Sequence, residues 1–134
     1  MALKTTVPQG LFVQDDSFIA NEDLSSSQYS IVTFTNPATG QPKVGLPSGQ
    51  GVIAAGVLLN DPASGAIAEV RLLGCAPVVA NAAFNAGVEL TIAATTGKVE
   101  AAGSGDYVIG IAGEGAAEAN QEVKCILNGA YQKN

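Results

Sequence analysis

Apolar and polar residues alternate along much of the chain after residue 28. The stretches GVELTIA (87–93) and EVKCILNG (122–129) display this alternation most clearly. In each, valine, leucine, isoleucine or cysteine occupies every second position, and these positions share one face of a strand. A period of two is typical of a β-strand that buries one face. The segment YSIVTFT (29–35) is rich in β-branched and aromatic residues, which also favours a strand. The pattern therefore predicts a β-sheet.

Turn-forming clusters separate these short strands. Pro, Gly, Asn and Asp gather in the sequences TNPATGQP, NDPASG, FNAG, TTG and GSGD. Many short strands with such turns between them predict an all-β fold, a small antiparallel β-barrel or β-sandwich. Two alanine-rich stretches, ANAAFNAG and GEGAAEANQE, could each form about two helical turns, so we expect at most one short helix.

Two segments of the chain share one outline. GVLLNDPASGAIAEVRLLG (56–74) and GIAGEGAAEANQEVKCILNG (110–129) each start with a glycine-led apolar strand, continue through a polar loop and end in a strand with two charged residues. We interpret each as a β-hairpin-like pair that contributes to one small barrel. Two copies are too few for a solenoid, which needs at least three repeats.

The N-terminal segment differs from the rest. Residues 1–27 contain a short apolar cluster, Leu11, Phe12 and Val13, and then Phe18, separated by acidic pairs and without a persistent period. We expect an extended arm over 1–27 and a β-domain over 28–134. Because two of the four Phe residues lie in the arm, we expect its apolar residues to anchor it on a partner.

Composition narrows the possible partners. The chain has 134 residues, a net charge of −6 and 13% charged residues, against about 25% in typical domains. Its six Lys and Arg residues are scattered, which argues against nucleic acid as a partner. The longest apolar run, residues 51–59, is far shorter than the ~20 residues of a membrane span. The low charge favours a surface that partner proteins cover.

Residues that could carry chemistry are few. The chain has no His and no Trp, which excludes histidine-based catalysis and histidine-ligated zinc. Cys75 and Cys125 form no CxxC motif, and we expect two free thiols. The adjacent carboxylates Asp15/Asp16 and Glu22/Asp23 point opposite ways in an extended chain, so neither pair forms an acid–base couple. We therefore predict no catalytic, cofactor-binding or metal-binding residues and no enzyme activity.

The order of strands and turns is similar to that of a known family. In residues 84–129, AGVEL, GKV, IGIA and VKCILNG follow one another as in the C-terminal part of bacteriophage capsid decoration, or cement, proteins. The upstream AAGVLLNDPASGAIAEVRLLGCAPV (54–78) resembles the corresponding strands of lambda-like head-decoration proteins. The chain departs from the lambda-like pattern in its long segment before the first hairpin, YSIVTFTNPATGQPKVGLPSGQ.

This resemblance implies a fold and a function. It implies a β-tulip-like module that sits as a homotrimer on the outer surface of the virion capsid, after synthesis in the host cytoplasm. Its partner would be the major capsid protein, whose neighbouring subunits it would hold together without a cofactor. The arm would become ordered on the shell, with Leu11, Phe12, Val13 and Phe18 as contacts. The residues leave two alternatives open: a phage tail-tube or baseplate β-module, and a carbohydrate-binding β-sandwich. The absence of Trp counts against the latter.

Overall fold

The computed structural model describes residues 13–35 and 40–134. Within these residues the chain forms β-strands and turns and no helix, so the all-β prediction is confirmed. The described part of the chain also contains no helix that could cross a membrane. In chain order the strands are β1 (Gln14–Ala20), β2 (Ile31–Thr35), β3 (Lys43–Gly45), β4 (Gly56–Leu58), β5 (Ile67–Val79), β6 (Glu89–Ile92), β7 (Val99–Ala101), β8 (Tyr107–Ala112) and β9 (Glu122–Gln132).

Five strands close into a small barrel. Their order is β1-β3-β2-β4-β5, and the pairing of β1 with β5 closes the ring. All of these pairs are antiparallel except β1 with β3, which run parallel with Ala20 opposite Val44. Closure leaves no free edge between the first and last strand of the ring.

A second sheet continues from the same long strand. Its order is β5-β9-β8-β6-β7, with Gly74 of β5 opposite Leu127 of β9 and Val79 opposite Glu122. A single parallel bridge between Ala80 and Val99 links the end of β5 back to β7. The 13-residue strand β5 thus belongs first to the barrel and then to the second sheet.

The two sheets enclose separate hydrophobic clusters. Strands β2 and β4 lie between them and bury a side chain on each face: Ile31 and Val57 belong to one cluster, and their neighbours Val32 and Leu58 belong to the other. All four side chains are fully buried. This position explains why residues 56–58 are all apolar, since a strand covered on both faces needs no polar positions.

The two hairpins predicted from the shared outline are confirmed as β4–β5 and β8–β9. Each has a glycine in its first strand, Gly56 in β4 and Gly110 in β8, for the same steric reason. A Cβ on Gly56 would overlap the carbonyl oxygen of Arg71, and a Cβ on Gly110 would overlap that of Ile126. Each glycine therefore lets the backbones of its hairpin approach closely.

Part of the expected extended arm, residues 14–20, pairs with strands of the barrel. Residues 14–20 form β1, which pairs with β3 and β5, and Leu24 is fully buried in the barrel cluster. The Leu24 amide also donates to the Pro62 carbonyl oxygen at 2.9 Å. Residues 14–24 thus pack against the barrel, because Ala20 and Leu24 are buried in its cluster and Phe18 packs against that cluster. Residues 1–12 of the expected arm lie outside the described part, and the boundary after residue 27 stays a prediction.

Candidate functional site

Two of the four predicted arm contacts can be located. Val13 is half-buried just before β1, and Phe18 lies in β1, while Leu11 and Phe12 fall outside the described residues. The ring of Phe18 packs edge-on against Phe34 of β2, with 5.2 Å between ring centroids and 74° between ring planes. Phe18 therefore has a partner within its own chain, and part of its ring remains accessible.

The aromatic pair is partly exposed and lies near other exposed apolar side chains. Phe34 is 54% exposed and Ile67 is 51% exposed. Phe18, Ile19 and Ile67 also line a shallow cavity of about 160 Å³ together with Pro42. We call Phe18, Ile19, Phe34, Pro42 and Ile67 the barrel-end surface. Exposed aromatic and aliphatic side chains next to a cavity are typical of protein contact sites.

A second apolar area covers the outer face of the second sheet. Here Cys75 of β5 lies opposite Ile126 of β9, which lies opposite Ile111 of β8. Ile126 is 43% exposed, and Leu73 on β5 is 40% exposed. We call the residues on this side of β5, β9 and β8 the sheet face; they are Leu73, Cys75, Pro77, Ile111 and Ile126.

A cavity of about 310 Å³ beside the sheet face is lined by the charged side chains of Arg71, Glu114, Glu122 and Lys124 and by the free thiol of Cys75. The Arg71 guanidinium donates to the Asp15 carboxylate at 2.8 Å and to the Cys75 carbonyl oxygen at 2.7 Å. The hydrogen bond to Asp15 raises the pKa of Arg71. The Glu114 carboxylate accepts from the Lys124 amide at 2.8 Å. The Arg71 and Glu114 side chains are thus engaged in structural contacts.

The two cysteines lie on adjacent strands but face opposite sides of the sheet. Cys125 is fully buried in the cluster of the second sheet, opposite Ala76, whereas Cys75 is half-buried on the sheet face. Both are free thiols. Burial, with a smaller contribution from nearby Cys75, raises the pKa of Cys125 to about 12, which leaves it a neutral core residue.

The paired carboxylates have separate structural partners. Asp15 binds Arg71, and Glu22 accepts from the Leu46 amide at 3.0 Å. Asp23 accepts from the Ser25 amide at 3.1 Å. Over residues 13–35 and 40–134, no group of three or more Cys, Asp or Glu side chains could hold a metal ion.

The C-terminal end of the chain is attached to β6. The Tyr131 hydroxyl donates to the Glu89 carboxylate, and the Lys133 ammonium lies 3.1 Å from the same carboxylate. The hydrogen bond from Tyr131, followed by that from Lys133, lowers the pKa of Glu89. These contacts connect residues 131–133 to the second sheet.

These features define a class of protein: a small all-β module with exposed apolar surfaces and no arrangement of reactive side chains among its described residues. The family model for phage cement proteins matches residues 26–127, and the chain belongs to this family. The resemblance seen in the sequence is thereby confirmed. No curated protein sequence matches the chain.

A solved structure has a similar fold. It is the N base of the head fiber gp8.5 in bacteriophage phi29, which matches with a TM-score of 0.68 and 18% sequence identity. The match covers 87% of this chain and 94% of that chain. Family membership assigns the protein a structural, capsid-associated role in the virion.

Sequence reasoning found Phe18 but not its neighbours on the barrel-end surface. Phe34 and Val32 occupy alternate positions of β2, so alternation alone predicts that both are buried. Val32 is fully buried, but Phe34 lies farther along β2 and remains exposed. The sequence carries no local signal for that difference.

Proposed function

We propose that the protein binds the outer surface of a phage capsid as a homotrimer and links neighbouring subunits of the major capsid protein. Membership of the phage cement protein family is the observation that carries this proposal. The protein would act by adding contacts between shell subunits and not by chemistry. Synthesis would take place in the host cytoplasm.

The barrel-end surface supplies the capsid contact in this proposal. It contains the exposed Phe34 and Ile67, and it also contains Phe18, one of the contacts expected from the sequence. Val13, Leu11 and Phe12 precede β1 in the chain and would extend the same contact. Apolar anchors in the centre of an interface usually supply most of the binding free energy.

Charge around the barrel supports a basic partner surface. Its described ionisable side chains, apart from the Asp15–Arg71 pair, comprise five carboxylates and one lysine: Asp16, Glu22, Asp23, Asp61, Glu69 and Lys43. An acidic rim would steer the protein toward a positively charged patch, and added salt would weaken the association.

Repetition over the shell explains how modest contacts can stabilise a capsid. A trimer that engages several subunits at once converts later contacts into intramolecular ones, so the combined binding greatly exceeds that of one site. A threefold symmetric module also suits threefold positions of an icosahedral shell.

The test uses capsids of the parent phage purified without this protein. Wild-type protein should sediment with them and raise the temperature at which they release DNA. Phe34→Ser should weaken sedimentation about tenfold, because it removes an apolar anchor. Ile53→Ser is the matched control, since Ile53 is 55% exposed, about as much as Phe34, and does not belong to the barrel-end surface.

Two results would contradict the proposal. Capsids with equal heat resistance with and without bound protein would refute the stabilising role. Full binding by Phe34→Ser together with lost binding by Ile53→Ser would refute the assignment of the barrel-end surface.

A further inference from the structure

We propose that copies of this chain contact one another through the sheet face, formed by Leu73, Cys75, Pro77, Ile111 and Ile126. This inference rests on the homotrimer of the proposed function and names the surface that would form it. In a trimer the sheet face would lie toward the threefold axis, where each copy contacts both others.

The first argument comes from a change of pattern within β5. In the barrel half of this strand, buried Ala68 and Val70 alternate with Glu69 and Arg71. In the second half, Ala76 and Val78 are buried on one face, yet the other face carries Leu73, Cys75 and Pro77. A strand that is apolar on both faces is typical of one that is covered on both. Among the described residues, 13–35 and 40–134, only the face with Ala76 and Val78 is fully covered.

The apolar character continues across neighbouring strands. Strand pairing sets Cys75, Ile126 and Ile111 in one row over β5, β9 and β8. Ile126 and Leu73 are each at least 40% exposed. The row ends at Glu89 on β6, whose carboxylate is already bound by Tyr131 and Lys133. The apolar residues therefore form one continuous patch with a polar border.

Charge indicates which partner fits this patch. The border carries three cationic side chains and four carboxylates, namely Arg71, Lys124, Lys133, Asp15, Glu89, Glu114 and Glu122. Two ion pairs, Arg71–Asp15 and Lys133–Glu89, already lie within it. The sheet face is thus close to neutral, although the whole chain carries −6.

A second copy of an acidic chain approaches most easily through a nearly neutral side. The barrel, with five carboxylates and one lysine, would repel another copy, whereas the sheet face has both signs around an apolar centre and would meet little net repulsion from a neighbouring copy. A strongly basic partner would instead gain more from the barrel. Charge therefore assigns the sheet face to self-association and the barrel to the capsid.

The patch is smaller than the interface that holds an isolated pair together. The five residues 73–77 of β5 across three strands measure about 16 Å by about 14 Å, or about 220 Å². A typical stable interface covers about 800 Å² per partner. One such contact is weak, but around a threefold axis the contacts among all three copies close into one ring and act together.

Cys75 offers a direct probe, since it lies on the sheet face and the chain's other cysteine, Cys125, is fully buried. The wild-type protein should have the mass of a trimer by native mass spectrometry. A short bis-maleimide should join Cys75 thiols into covalent dimers, and Cys75→Ser should give none.

Ile126→Asp is the test variant and Ile67→Asp its matched control, because both residues are exposed isoleucines on strands. Ile126→Asp should give monomers and speed maleimide labelling of Cys75 about tenfold or more, since an unpaired carboxylate would be buried between copies. Ile67→Asp should remain trimeric. Circular dichroism of both variants checks that they are folded.

Three outcomes would overturn the inference: a wild-type monomer at concentrations that saturate capsids, a trimeric Ile126→Asp with unchanged Cys75 labelling, or a trimeric Ile126→Asp that no longer binds capsids. The first outcome would also refute the homotrimer of the proposed function, whereas the second would refute the sheet face as the contact and leave both the homotrimer and capsid binding intact. The third would assign the sheet face to the capsid.

Discussion

Replacing Gly110 with alanine tests the close approach of strands in the second hairpin. The added Cβ would overlap the carbonyl oxygen of Ile126 and would lie 2.9 Å from its carbonyl carbon and 3.1 Å from the Cys125 sulfur. Two of these atoms belong to backbone, which cannot move aside as a flexible side chain can. We therefore expect β8 and β9 to separate at this point.

The expected loss can be estimated from its parts. Overpacking of a filled interior costs about 1–3 kcal/mol. Weakening a hydrogen bond beside the Gly110–Leu127 pair costs about 1 kcal/mol more. Alanine restricts the unfolded chain more than glycine does, which offsets about 0.4–1 kcal/mol of this loss of stability. Gly110→Ala should thus lower the free energy of unfolding by about 1–4 kcal/mol, equivalent to about 4–13 °C in Tm for a chain of this size.

Urea denaturation followed by circular dichroism measures this change. Gly49→Ala is the control, because no heavy atom lies within 4 Å of a Cβ placed there. Its stability should stay within about 1 kcal/mol of wild type. If Gly110→Ala and Gly49→Ala are equally stable, the close-approach explanation for the glycine-led strands is refuted.

Three further predictions concern the N-terminal segment, the C-terminal end and the buried thiol. Leu24→Ala should cost about 2–5 kcal/mol of unfolding free energy in urea, because Leu24 is fully buried; a loss under about 1 kcal/mol would mean that residues 14–27 are a free arm after all. Tyr131→Phe should raise the pKa of Glu89 in an NMR titration, because the variant lacks the hydrogen bond that favours the charged carboxylate in the wild type. In the wild type this contact stabilises the fold at pH values above the ordinary carboxyl pKa, and the stabilisation is lost as pH falls through the lowered pKa of Glu89. An unchanged Glu89 titration in the variant would contradict the assignment. Cys125 should resist maleimide at pH 8 until urea unfolds the protein, because burial raises its pKa to about 12, and rapid labelling in native buffer would disprove its burial.

Local patterns predicted the elements of this fold well. The alternation in 87–93 and 122–129 became β6 and β9, and the repeated outline became two antiparallel hairpins. The alanine-rich stretches formed turns and an isolated bridge between Phe84 and Ala116 and not a helix. These successes depend on interactions between residues close in sequence, for which side-chain periodicity is direct evidence.

The candidate surfaces were less predictable because they depend on distant residues. Phe18 and Phe34 are in edge-on contact only because closure of the barrel places these residues of β1 and β2 close together. Residues 14–27 lack a persistent period, since their apolar side chains fill gaps between strands that come from other parts of the chain. Leu24 is fully buried there although its neighbours are polar and exposed.

The amino-acid sequence by itself determined the all-β class, the two hairpins, the absence of histidine chemistry and the family, because each follows from residue type and local spacing. Only the tertiary structure decided that β5 joins a closed barrel to a second sheet, and that β2 and β4 divide two hydrophobic clusters. Which apolar side chains stay exposed depends on strand register and closure, and those are set by packing between residues far apart in the chain.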